Sequence, residues 1–145
     1  MLSGLAHMVL TLEQIEAEYQ IVTANIRFLT ENEGGRHTSI ALSCNVPYRP
    51  HFVVQNRTIR KAIIEGNRGT EPYIAMTFID GPENYTNGDS GIFRFYCPYW
   101  THPEHPDIIT GTEFTIREGG KIVAGGTVIE KTEPNSNPNC QIPNG

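Results

Sequence analysis

The stretch Phe114-Thr115-Ile116-Arg117-Glu118-Gly119-Gly120-Lys121-Ile122-Val123-Ala124-Gly125-Gly126-Thr127-Val128 folds back on itself by its own pattern. Phe114 and Ile116 alternate with Glu113, Thr115 and Arg117, the period of a strand with one apolar face. Gly119-Gly120 interrupts the run as a tight turn, and residues 121–130 resume as a final strand. The stretch is therefore a β-hairpin with a Gly-rich turn. Gly125-Gly126 inside its second strand predicts a bulge or the close approach of another backbone.

Working outward, the same period of two recurs upstream. Ala24, Ile26 and Phe28 alternate with Asn25, Arg27 and Leu29; Ile74, Met76 and Phe78 with Tyr73, Ala75 and Thr77; Phe93 and Phe95 with Ile92, Arg94 and Tyr96. Phe52-Val53-Val54 is a short apolar run behind Pro50. Turn signals separate these runs at Gly34-Gly35, Gly66-Asn67, Asp80-Gly81-Pro82, Asn87-Gly88-Asp89, residues 102–106 and Gly111. Short strands with frequent turns predict an all-β barrel or sandwich. One segment differs. Leu12, Ile15, Tyr19 and Val22 share a helical face, and Thr11 with Gln14 can form a capping box, so a short amphipathic helix is expected over about 11–20. The chain divides into a helical extension (1–22), a barrel (23–132) and a tail (133–145) rich in Asn, Pro and Ser, expected to be irregular.

With 145 residues the chain is expected to form one domain. Its net charge of −5, from 16 acidic against 11 basic residues, argues against strong non-specific nucleic-acid binding, because phosphate affinity comes from many cations on one face. No apolar run reaches the roughly 20 residues a membrane helix needs. A secretory signal is not expected either, because the first residues lack a Lys/Arg flank. Cys44, Cys97 and Cys140 are odd in number and widely spaced, which fits thiols in a reducing compartment, and a cytoplasmic location is expected.

Two segments carry a resemblance to a known family. One is Thr30-Glu31-Asn32-Glu33-Gly34-Gly35-Arg36-His37-Thr38 with the following Tyr48-Arg49-Pro50-His51-Phe52; the other is the hairpin quoted above. Both resemble the C-terminal (third) domain of elongation factor Tu, where the first reads Glu-Gly-Gly-Arg-His-Thr then Tyr-Arg-Pro-Gln-Phe, and the second Phe-Ala-Ile-Arg-Glu-Gly-Gly-Arg. Asn87-Gly88-Asp89-Ser90 and His105-Pro106 resemble two shorter family features between them, in the same order. The resemblance implies a six-stranded antiparallel β-barrel. It also implies a role without catalysis: protein–protein contact, as a mimic of that domain or a translation-related regulator. The alternative it implies is binding of a tRNA stem. The sequence holds no Gly-x-x-x-x-Gly-Lys-Ser/Thr loop to cradle phosphates, so neither GTPase activity nor GTP binding is expected, and no cofactor.

The family positions that match a tRNA-facing surface are Arg36, His37, Glu118 and Gly119. Arg49 and Lys121 would add charge nearby, and His51 stands where the family has Gln, near its contact with the GTPase domain. Arg36 suits a phosphate because its planar fork donates two bonds at once. A plainer reading has Arg36, Arg49 and Arg117 pair with Glu33, Glu113 or Glu118 to close the barrel ends. Arg57, Arg60, Lys61 and Arg68 form a second basic run, ordinarily a solvated loop. Two imidazoles and two carboxylates in 102–107 could ligate a metal, but no distant ligands complete a site, and no metal is expected. Cys97 with a His could form a nucleophile pair, but nothing supplies an oxyanion hole.

Overall fold

The structure, a computed structural model, describes residues 11–40, 48–61, 64–65, 68–69, 72–98 and 107–134. Thr11 opens helix α1 (Leu12–Glu18) with the expected reciprocal cap: its hydroxyl accepts from the Gln14 N–H at 3.1 Å, and the Gln14 side chain accepts from the Thr11 N–H at 2.8 Å. The helix ends at Glu18 because Tyr19 turns extended. So short a helix is not stable alone and needs packing. Ile15 supplies it, clustering with Ile21 and Tyr96 beside Tyr19 and Ile79, with the Tyr19 and Tyr96 rings 4.8 Å apart.

Strand β1 (Ile21–Phe28) begins two residues earlier than the expected barrel boundary at 22/23. Ile21 and Val22 are both buried and pair with Tyr96 and Phe95 on one side and Thr132 and Lys131 on the other, so they belong to the sheet and not to the helical extension. The remaining strands are β2 (His51–Val54), β3 (Ile64–Glu65), β4 (Arg68–Gly69), β5 (Ile74–Ala75), β6 (Thr77–Asp80), β7 (Ser90–Tyr96), β8 (Glu113–Glu118) and β9 (Lys121–Thr132). β3 and β4 pair only with each other, on either side of residues 66–67, where the sequence signals a turn.

The other seven strands make one antiparallel sheet in the order β5-β2-β8-β9-β1-β7-β6, curled into a barrel-like fold. Its outermost strands, β5 and β6, follow each other in the chain with only Met76 between them. At this seam the Met76 N–H donates to the Pro50 carbonyl (3.3 Å) and the Phe78 N–H to the Tyr48 carbonyl (3.0 Å). Counted as one interrupted strand, β5 and β6 bring the strand number to the expected six. No helix among the described residues is long and apolar enough to cross a membrane.

All six phenylalanines (Phe28, Phe52, Phe78, Phe93, Phe95 and Phe114) are buried in one cluster with Ile26, Ile74, Met76 and Ile116. Phe52 stacks on Phe114 at 4.4 Å, and Phe28 meets Phe93 edge-on at 5.7 Å. Each such side chain contributes about 1.5–3 kcal/mol on burial. The alternation in β8 predicts Thr115 and Arg117 on a solvent face, yet both are fully buried. The segment after β2 covers them: Thr115 Oγ1 and Arg117 Nη2 both donate to Gln55 Oε1, and Arg117 Nη1 donates to the Tyr73 hydroxyl at 2.9 Å.

That covering segment also explains Gly125. A Cβ there would stand 2.3 Å from the Arg57 carbonyl oxygen, and one at Gly126 would stand 2.6 Å from that of Asn25. Close approach is thus the role of this pair. The register shifts of β9 lie elsewhere, opposite Ile116/Arg117 and Thr23/Ala24. Residues 41–47, before Tyr48, lie outside the described residues. So do the His102–Pro106 segment, Cys44, Cys140 and most of the tail.

Candidate interaction surface

The β8–β9 turn takes its shape from Gly119. Its φ of 62° at the first central position is the geometry of a two-residue hairpin turn that glycine enters without steric cost. A Cβ at Gly119 would meet nothing within 4 Å, so the turn's backbone is open to an approaching surface. Glu118 and Lys121 pair across the turn.

The second half of the surface comes from the chain after β1. Glu31–Glu33 form one 3-10 turn, in which the Glu33 carboxylate accepts from the Thr30 N–H (2.9 Å) and from Arg27 Nη2 (3.2 Å). The backbone hydrogen bond first, and Arg27 second, hold the Glu33 carboxyl below its ordinary range. Gly34, with φ 94°, ends the turn and redirects the chain so that Arg36 reaches Glu118.

Arg36 Nη1 forms an ion pair with Glu118 Oε2, and its Nε donates to the Thr38 carbonyl at 3.2 Å. The Tyr48 hydroxyl donates to the same Glu118 oxygen, and the guanidinium lies 5.4 Å from the Tyr48 ring centroid. Burial disfavours the charge on Arg36, but the hydrogen bond and attraction from Glu118 outweigh it, and its pKa rises. Tyr48 is pushed well above the ordinary phenol range, first by burial and then by Glu118, so it stays a donor. Residues 30–38, Tyr48 and the β8–β9 hairpin are thus joined physically through Arg36, Tyr48 and Glu118.

Of the residues singled out in the sequence, Arg36, Glu118, Gly119 and Lys121 meet at this turn. His37 lies beside it, exposed, with Nδ1 2.8 Å from Glu31 Oε2. Arg49 and His51 do not join it. Alternation along the chain sends Tyr48 inward and Arg49 outward, where its charge acts on the Tyr96 hydroxyl near α1. His51 lies opposite Arg117 in the β2–β8 pairing, with its ring 5.6 Å from that of Tyr73, and belongs to the layer covering β8. Tyr48 was the residue missed. It stands in the Tyr-Arg-Pro motif, but a charge-led reading favours its arginine neighbour.

In the second basic run, Arg57 and Arg60 are exposed and tied into local hydrogen bonds. Arg57 donates to Thr127 Oγ1 (3.0 Å), its backbone N–H donates to Glu113 Oε1 (3.1 Å), and Arg60 donates to the Arg57 carbonyl (2.9 Å). No group of three His, Cys, Asp or Glu side chains converges on a metal position among the described residues. Cys97 is buried, and burial pushes its thiol up to about 12, which keeps it protonated and a poor nucleophile at neutral pH.

The surface is thus polar: the Arg36–Glu118 ion pair, the exposed Lys121 across the turn, the half-buried Tyr48 ring and an open glycine tip. No known protein-family model matches the chain.

Proposed function

We propose that this chain is a non-catalytic binding module that acts through protein–protein contact at the Arg36–Tyr48–Glu118 surface and the Gly119-Gly120 tip. The observation that carries this reading is the Arg36–Glu118 pair. A groove for a phosphate backbone needs uncompensated cations. Here the best-placed guanidinium already holds a carboxylate, on a chain of net charge −5. A matched charge pair beside an aromatic ring and open backbone suits the polar rim and aromatic content of a protein interface. Together with the resemblance of residues 30–38, 48–52 and 114–128 to the third domain of elongation factor Tu, this makes a protein that recognises that domain the favoured partner.

The test is calorimetric titration of the chain against the factor's isolated GTPase domain and against its nucleotide-exchange factor. Saturable binding to either, competed by intact elongation factor Tu and weakened by Glu118→Lys, is the expected result. Absence of heat with both would overturn the choice of partner. A tRNA-stem reading has one observation in its favour, the unobstructed backbone at Gly119. It requires salt-sensitive RNA binding that Arg36→Ala abolishes.

A further inference from the structure

A cavity of 430 Å³ opens beside the connection between β6 and β7, in the size range of ligand pockets. Phe93 is its most buried wall, Tyr85, Ile79 and Ile40 are partly buried around it, and the exposed Asp80 and Glu83 stand at its rim. The walls are fixed in advance. The Tyr85 hydroxyl accepts from the Phe28 N–H at 2.9 Å and donates to the Asp89 carbonyl, and its ring meets Phe93 edge-on at 5.2 Å. Asp80 is held by Arg94, whose Nη2 lies 2.6 Å from Oδ2. Glu83 makes no hydrogen bond or ion pair among the described residues. No lysine, arginine or histidine lines the cavity.

These walls select a ligand by chemistry. An anion would face Glu83 with no wall cation to receive it. A neutral apolar group would fill the aromatic side and leave the rim charge unused. A group with a flat apolar body and a positive neighbour matches both. We propose that the cavity receives a segment of a partner protein in which an aromatic residue stands next to a lysine or arginine. The ring lies against Phe93 and Tyr85, and the cation lies at Glu83. The rim is an exposed loop, so the partner's backbone passes outside while its side chains enter. This site shares no residue with the Arg36–Glu118 surface, and either reading can fail without the other.

The test is an amide chemical-shift titration of the whole protein with N-acetyl-Phe-Lys-amide, N-acetyl-Phe-Glu-amide and phenethylamine. The lysine peptide is expected to shift amides of residues 79–85 and 93, and to bind about threefold more tightly than the glutamate peptide, the effect of one exposed ion pair. Glu83→Gln should erase that preference and leave the remaining spectrum in place. Three results would overturn the proposal: no shift at these amides, equal affinity of wild-type protein for the two peptides, or phenethylamine binding as tightly as the lysine peptide. The last would assign the cavity to a small free amine.

Discussion

Arg36 and Arg117 stand in residues 30–38 and 114–128, and the sequence lets either of them pair with a glutamate to close a barrel end. The fold separates them. Arg117 lies on the outer face of β8, but the chain after β2 closes over it, and the guanidinium is fully buried against Gln55 and Tyr73. Arg36 lies where the chain turns back at the barrel end, and its side chain remains 25% exposed against Glu118. Motif position therefore does not decide whether a cation is structural or available to a partner. What decides it is whether another segment covers the strand.

The largest effect should fall on the covered side. Arg117→Ala removes a fully buried guanidinium, the donor to Tyr73 and one of the two donors to Gln55 Oε1, and should cost about 3 kcal/mol in urea unfolding, against about 1 kcal/mol or less for Arg36→Ala. Equal losses would erase the distinction between the two sites. The glycines should repeat it. Gly125→Ala drives a methyl into the Arg57 carbonyl and should cost about 2 kcal/mol, while Gly119→Ala meets open space and should cost about 1 kcal/mol from its positive φ alone.

Cys97 sharpens the contrast by pH. Its folded pKa is raised to about 12, so the thiol keeps its proton in the fold after the unfolded chain has lost it near pH 8.5. The folded state then binds more protons, and stability falls as pH rises from the unfolded value toward 12, at up to about 1.4 kcal/mol per pH unit. Cys97→Ala should flatten that part of the stability–pH curve. An unchanged slope would mean that the thiol is less covered than its burial indicates. The smallest effect is the Arg36–Glu118 coupling. A double-mutant cycle should give about 0.5–1 kcal/mol and shrink in added salt, as a partly exposed pair does. A coupling as large as the Arg117→Ala loss would place Arg36 with the buried residues.

Much of the barrel was legible because inward residues alternate: Phe93 and Phe95, Phe114 and Ile116, and Ile74, Met76 and Phe78 all reach the core. The capping box at Thr11 and Gln14 was equally local. What alternation could not reveal was the second layer. Thr115 and Arg117 read as solvent-facing because nothing in β8 records that residues 55 and 73 fold over it. Motif position suggests that Arg49 adds charge near Arg36 and that His51 faces a lost contact, whereas strand alternation and the β2–β8 register send both elsewhere. Tyr48 was passed over because a hydroxyl carries no formal charge, although it links Glu118 to the aromatic core. The Arg36–Glu118 pair itself was among the pairings the sequence allowed. Its selection over Glu33 follows from the 3-10 turn, which gives Glu33 to Arg27 and Thr30 instead.

The proposal that this surface serves a protein and not a phosphate backbone rests on the pairing of Arg36 with Glu118. Titration of the purified chain with bulk tRNA at low and at moderate salt tests it most directly. The account predicts no salt-sensitive binding at either ionic strength, for the wild type and for Arg36→Ala alike. Tight binding at low salt that falls steeply with added salt and disappears in Arg36→Ala would contradict it.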